Sequence, residues 1–521
     1  MKTLLKFIVL IEIIVFFPPF VLANISGEQD VTVTYYHVEG NTGNSFYPEN
    51  KVTYLYEGQV DFTRSFLSKE LFGSMSYRVT DDRLVDLQDV SLEEFFIGLR
   101  KDSFEFLAGD FYSSFSGYSV DNALKGLRLN LGEDDLAHFK LAAGVDTSRW
   151  ENLWETRCDD SDTRKYVWGF QLGNSFFDKD LKLNLNYGGS LDDKAFLSSG
   201  SPQVLVDVVS LDTAYRINDV LSSSFEFAHS FTDADKNLDE VKTKNDYAGK
   251  AVLDLNTRNY SLLSLYSRIG SNFNSTSGFT AADLETISFD GAWYAHRNVK
   301  LTHYLHLDRD NLSDHLYVTT RQINPGVILG LSLPREVNCD IGFDSRKRYS
   351  TDKYTNDETQ AYSVNLGKNF QVFYGNIGYT RTVVKDKVDL AQERDVDTIT
   401  LGLDGDFTIR EVIFSWNIAE DINHEDYKEA GKADLFLTHS LGMRADFPSA
   451  LSIEARVNLS DSDYYSNSLD NNTANYVFSI SRCIKDNLTF SVNYDYKDYA
   501  YPDGDDNYSE TVMTAKAAVR F

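Results

Sequence analysis

Three cysteines, nine histidines and a surplus of carboxylates are the groups in this 521-residue chain that could do chemistry. Covalent haem needs C-x-x-C-H, but Cys158, Cys339 and Cys483 stand far apart and none is followed by a second Cys. The sequence therefore predicts no haem attachment and no cofactor of its own, and three cysteines build no disulfide scaffold. Alternation puts Cys339 on a face with Val337 and Ile341, and Cys483 on a polar face with Ser479 and Ser481, so these two are expected to stay unpaired. Asp233, Asp235 and Asn237 have the 1-3-5 spacing of an EF-hand loop, but Leu238 and Lys244 occupy the positions that need Gly and a bidentate Glu. No metal site is expected there. The chain has no G-x-S-x-G, H-E-x-x-H or P-loop motif. His229 and His439 fall in phase with Phe227 and Leu437 and read as structural. No catalytic set emerges, and the chain is expected not to be an enzyme.

The elements around these residues carry more information. Acidic side chains number 79 against 50 basic ones, for a net charge of −29, which argues against a nucleic-acid partner. Lys2 and Lys6 flank the start of an apolar stretch from Phe7 to Phe17, and Val21-Leu22-Ala23 follows. This pattern predicts a signal peptide over residues 1–23. After it, no apolar run is long enough to cross a bilayer as a helix. Mean hydropathy is −0.35, yet 14% of the residues are aromatic.

Period-two alternation fills the rest. Leu488, Phe490, Val492, Tyr494 and Tyr496 alternate with Thr489, Ser491, Asn493 and Asp495. Leu451, Ile453, Ala455, Val457 and Leu459 alternate with Ser452, Glu454, Arg456 and Asn458. Leu181, Leu183, Leu185 and Tyr187 alternate with Lys182, Asn184 and Asn186. One set faces each side of a strand, and the chain is all-β. Short polar turns, such as Lys101-Asp102, Asn218-Asp219, Gly367-Lys368-Asn369, Gly405-Asp406 and Pro448-Ser449, take turns with long acidic segments such as 157–164, 232–245, 350–358 and 460–473. Short periplasmic turns, long extracellular loops and strands of about ten residues belong to a transmembrane antiparallel β-barrel. Twelve short turns give 24 strands. The segment 508–521 adds one, and Val31 to Tyr36 supplies another, for about 26 strands (range 24–26). The expected organisation is a signal peptide (1–23), a short periplasmic segment (24–30) and a single barrel domain (31–521). The aromatics would then form the interfacial girdles.

At the C-terminus, Met513, Ala515, Ala517, Val519 and Phe521 share one face, and Thr514, Lys516 and Arg520 share the other. Together with the leader and the alternation, this resembles bacterial outer-membrane β-barrel proteins, in which a terminal Phe marks the chain for insertion. The resemblance implies the outer membrane of a Gram-negative bacterium, surrounding lipid, and barrel-assembly machinery reading Phe521, Val519 and Ala517. A second likeness, to a segment of outer-membrane barrels of similar length, lies at Gly109-Asp110-Phe111-Tyr112, Phe115, Asp121-Asn122-Ala123-Leu124, Gly126 and Arg128.

A barrel of this size has a wide lumen. TonB-dependent transporters and ushers resemble it in size but carry plug domains, and only Asn24 to Asp30 precede the first expected strand. Two layouts follow. One is similar to the barrels of porin–cytochrome conduits, in which a separate multihaem cytochrome or another lumen-filling protein occupies the bore. The other is a porin narrowed by its own loops, with 232–245 and 460–473 as candidates. Either way the chain is expected to be a porin-like channel or scaffold. The reading from another class is an outer-membrane enzyme or surface-binding protein acting through its acidic loops. Lumen-facing candidates are Lys182, Glu226, Glu454, Arg456, Asp495, Lys516 and Arg520, whose mixed signs predict a hydrated wall.

Overall fold

The structure, a computed structural model, describes residues 24–47, 49–66, 68–154, 163–198, 201–233, 243–276, 282–313, 318–464, 470–484, 487–502 and 504–521. The expected signal peptide lies outside these residues. The described chain forms 26 strands of 9 to 17 residues, with short 3-10 turns in some of the long loops. Each strand pairs antiparallel with the next, and the last, β26 (Tyr508–Arg520), pairs with the first, β1 (Asn24–Gly40). The sheet is a closed ring, so nearly all of its backbone groups are satisfied within the wall.

Residues 24–30 are not a lead-in. Asn24 to Asp30 pair with Thr63 to Glu57 of β2 (Lys51–Phe66). Their composition hid this, because Gly27 and Gln29 fall in the outward phase and break the apolar alternation at the periplasmic end. Two turns are also displaced. Gly367 to Asn369 close the strand Asn356–Asn369, and Gly405 and Asp406 lie inside β20 (Arg394–Ile409). The true turn after β20 is Arg410-Glu411, both with positive φ.

Alternation sorts the two faces of the wall. Leu403 of β20, Ile418 of β21 (Val412–Tyr427), Leu441 of β22 (Lys432–Phe447) and Val457 of β23 (Leu451–Asp463) are cross-strand neighbours in one outward row. The inward row beside it holds Asp404, Asn417, Gly442 and Arg456. The outward face continues as an exposed apolar band, including Val209, Leu211, Phe225, Phe227, Ile377 and Ile399. Aromatics gather toward its edges, with Phe373, Phe407, Phe414 and Trp416 at the short-turn end. An apolar exterior around a polar interior is the inverse of a soluble protein, and it places the ring in a membrane.

The seam that closes the ring is tied at its periplasmic end. Gly27 and Phe521 exchange two backbone hydrogen bonds of 2.9 and 3.0 Å. The Phe521 ring lies where a Cβ on Gly27 would fall. On the inner face Lys516 Nζ meets Asp30 at 2.6 Å, and Arg520 Nε meets Glu28 at 2.8 Å. Deleting Phe521 removes both backbone bonds, each worth about 0.5–1.5 kcal/mol. The truncated chain should give less heat-modifiable barrel on detergent gels, with Phe521→Ala intermediate. Equal yields from all three chains would remove Phe521 from the seam.

Candidate functional site

The site is the lumen, and one hairpin shapes it. Strands β4 (Val90–Lys101) and β5 (Phe104–Ser114) pair only over Phe96–Lys101 and Phe104–Gly109. Gly109 then turns to φ +118, and its backbone comes so close to Phe95 that a Cβ would lie 2.1 Å from the Phe95 oxygen. Opposite it, Gly126 of β6 (Asp121–Gly132) pairs with Gly109, and Gly144 of β7 (His138–Asp146) pairs with Gly126. A Cβ on Gly126 would lie 2.4 Å from the Gly144 Cα. Three glycines in register across three strands form a crease, because only Gly tolerates this approach and this φ. Above the crease, residues 110–125 leave the ring and lean into the bore as a hairpin.

The wall makes room for the tip. Ala142 of β7, Gly169 of β8 (Lys165–Phe176), Gly188 of β9 (Leu181–Asp192) and Val208 of β10 (Leu205–Asn218) form one inward row of small side chains. Val120, fully buried, sits against Gly169 and Gly188. Leu107, Phe111, Phe115, Leu124, Ala142 and Val167 complete this cluster, and Phe72 and Phe96 pack against it. Polar bonds fix the rest of the tip. Ser116 Oγ lies 2.9 Å from Ser210 Oγ, and Gln171 Nε2 donates to the Phe115 carbonyl at 2.9 Å and to Asn186 at 2.7 Å. The Tyr118 amide donates to Glu226 on β11 (Leu221–Asp233), and Tyr118 Oη lies 3.3 Å from Ser267 on β13 (Tyr260–Ile269).

A second inward segment clamps the tip. After β13, residues 270–276 run back over the inner wall. The Asn272 amide donates to Asp246 on β12 (Lys244–Asn256), and Asn274 bonds Ser230 and Thr232 on β11. Phe273, fully buried, packs edge-on against Tyr118 at 5.5 Å, and Thr276 Oγ1 donates to the Ser119 carbonyl. The hairpin is thus held by β7 to β13 and by this segment.

Where the hairpin leaves the ring, the upper part of β4 loses its partner, and side chains replace the ladder. The Phe95 amide donates to Asp110 at 2.7 Å and the Leu92 amide to Glu151 at 3.1 Å. Asp110 also accepts from Trp150 Nε1 at 2.6 Å and pairs with Lys125 Nζ at 2.7 Å. Trp150 packs edge-on to Phe95, with Lys125 over its ring. The segment 147–154 therefore closes the outer side of the gap.

The neighbouring extracellular rim is latched by carboxylates. Asp86, nearly fully buried, pairs with Arg149 at 2.8 Å and accepts from Ser91 at 2.7 Å. Burial alone would raise its carboxyl, but the Gln88 amide, the Ser91 hydroxyl and Arg149 outweigh burial and hold it below the usual range. Asp193, bonded to Ala195, Tyr166 and Arg164, is lowered for the same reason against the same opposing burial. A carboxyl lowered in the folded state stabilises above its unfolded pKa of about 4 and loses that contribution as pH falls through the folded value. Proteolysis of 81–89 and 147–154 should therefore stay flat from neutral pH to about 4 and rise only below it. A rise between pH 7 and 5 would refute the latch.

The seven lumen candidates are spread around the wall. Lys182 meets Asp135, and Glu454 and Arg456 meet each other at 3.0 Å. Lys516 and Arg520 sit at the seam, and Asp495 is cross-strand to Val477 and Val512. Only Glu226 among them touches the hairpin. Cys339 lies outward beside Ile341, Cys483 lies inward beside Ser481, and both are free thiols. Cys158, Asp235, Asn237 and Leu238 fall outside the described residues, as do the middle parts of the candidate loops 232–245 and 460–473. Among the described residues, the inward segments are 110–125 and 270–276, which the loop lengths did not single out. Their signal was the Gly109–Arg128 stretch, whose glycines acquire meaning only when register aligns them.

No family model matches the chain, and no curated protein matches it. Solved structures with a related course include a mutant of the ferric enterobactin receptor PfeA of Pseudomonas aeruginosa, at 9% identity over 95% of this chain and 80% of that one, TM-score 0.44. The outer membrane transporter YddB of Escherichia coli shows 10% identity over 95% and 81%, TM-score 0.45. The P pilus usher PapC translocation pore shows 11% identity over 96% and 99%, TM-score 0.29. The wall itself carries the assignment: a closed antiparallel ring, apolar outside and polar inside, with short turns at one end and long loops at the other. This chain is an outer-membrane β-barrel with a channel-like fold.

Proposed function

We propose that the protein is a porin-like channel for small hydrated solutes, with part of its bore filled by its own hairpin. The supporting observation is the division of the wall. Twenty-six strands at about 4.8 Å spacing and about 40° tilt enclose a ring roughly 50 Å across. From Gly109 to Gly117 the hairpin reaches about 26 Å at 3.3 Å per residue, about half that bore. It packs against β7 to β13. Setting aside the sector from β5 to β13 leaves 17 strands, two of which reach the hairpin cluster through Phe72 and Phe96, about the size at which barrels enclose a plain aqueous channel. The mechanism is physical rather than catalytic. Asp340, Asp344, Asp404, Asp406 and Asp421 line the open sector, and their charge favours cations.

In planar lipid bilayers the purified barrel should give conductance steps, with a reversal potential shifted toward cations in a salt gradient. Full insertion without conductance would sink the channel reading. The second reading is a sheath for a multihaem cytochrome, favoured by the width of the open sector. It requires haem to co-purify from native membranes, and haem-free material would count against it.

A further inference from the structure

The outer wall carries an ionisable pair where lipid should be. Glu420 is the ninth of the 16 residues of β21, and His439 is the eighth of the 16 of β22, so both stand at mid-wall. They are direct cross-strand partners, with His439 Nδ1 3.8 Å from Glu420 Oε1. Both point outward. Their strand neighbours on that face are Ile418, Ile422, Leu437 and Leu441, and their cross-strand neighbours are Leu401 and Leu459. Half of the His439 side chain and 38% of that of Glu420 are uncovered. An ionisable group facing hydrocarbon is costly, and in membrane proteins such groups face a protein or water instead.

We propose that this face, centred on Glu420 and His439, is the contact between two copies of the barrel, related by a two-fold axis along the membrane normal. The face is complementary to a second copy of itself. Cross-strand partners lie side by side, and on strands tilted by about 40° they differ in depth by only about 3 Å, within the reach of these side chains. A two-fold along the normal keeps depth and reverses lateral order between facing walls. Glu420 of each copy then meets His439 of the other, and the apolar residues around the pair form a matching rim. A two-fold contact must be self-complementary, and an acceptor beside a donor at nearly one depth meets that condition. Lipid chains offer the pair no such partner.

The test uses the full-length barrel, extracted in mild detergent and weighed by native mass spectrometry, with amine cross-linking in native membranes beside it. The wild type should be dimeric by both. Glu420→Leu/His439→Leu, which places apolar side chains on a lipid-facing wall, should lose the dimer while keeping heat-modifiable migration. His439→Glu sets carboxylates against each other and should lose it too. The swap Glu420→His/His439→Glu should regain it, because the reversed order is still complementary about the two-fold. A monomeric wild type in both settings, a dimer that survives the double leucine substitution, or a swap that stays monomeric would each overturn the proposal.

Discussion

Replacing Gly188 with leucine should widen the channel while leaving the barrel intact. A Cβ at Gly188 would meet Val120 Cγ2 at 2.9 Å, Thr276 Cγ2 at 3.3 Å and the Val120 nitrogen at 3.3 Å. All three atoms belong to the two inward segments and none to the wall. The ladder bonds of β9 are backbone bonds and are not touched by the substitution. Leucine must therefore push the hairpin tip off its seat, at a cost of about 1–3 kcal/mol for overpacking, together with the burial of Val120, itself about 1.5–3 kcal/mol. Single-channel recordings should show larger steps, and heat-modifiable migration should be unchanged. Gly249→Leu is the control for added bulk outside the bore, because Gly249 is cross-strand to the outward Phe227 and an added Cβ there meets only the Glu226 carbonyl oxygen, at 3.9 Å. Equal conductance in Gly188→Leu, Gly249→Leu and the wild type would mean that the hairpin does not set the bore.

The largest loss of stability is expected from Asp110→Ala. One carboxylate receives the Phe95 amide, the Trp150 indole and the Lys125 ammonium, whose side chain is only 8% exposed. Removing one partner of a buried ion pair costs about 3–5 kcal/mol, because the other charge stays buried and unpaired. The two orphaned N–H groups add to that cost. Unfolding of the purified barrel by urea should shift to lower denaturant by an amount corresponding to several kcal/mol. Asp110→Asn keeps one acceptor and should recover part of the loss. A shift below about 1 kcal/mol, the scale of an exposed ion pair, would show that the gap is held by something else.

The ring itself was legible because its signals are local. Alternation within each strand and the sorting of short and long connections need no knowledge of neighbouring strands. Where local signals misled, the cause was glycine. Gly405 looks like a turn residue, but in the wall it gives room to Phe373. The real turn uses Arg410 and Glu411, which no turn preference would select. The interior of the lumen was less legible. Gly109, Gly126 and Gly144 stand 17 and 18 residues apart, and nothing in one strand announces that they form a line. Long acidic loops drew attention as candidates for folding inward, whereas the hairpin that enters is short. Its entry depends on the crease beneath it and on the small side chains opposite it, which belong to other strands. The pair at Glu420 and His439 was half visible. His439 was in phase with Leu437, but its neighbour across the ladder appears only with register.

The crease also bears on how this chain can vary. On the filled side of the bore, from β5 to β13, inward positions behave like the interior of a globular protein, where an added methyl group is felt. On the open side the same inward positions meet water and tolerate exchange. One closed sheet therefore holds two regimes of substitution. Drift in the open arc can retune charge and selectivity without touching the arc that holds the hairpin. A lineage descended from this protein could change what it passes while keeping how it is built.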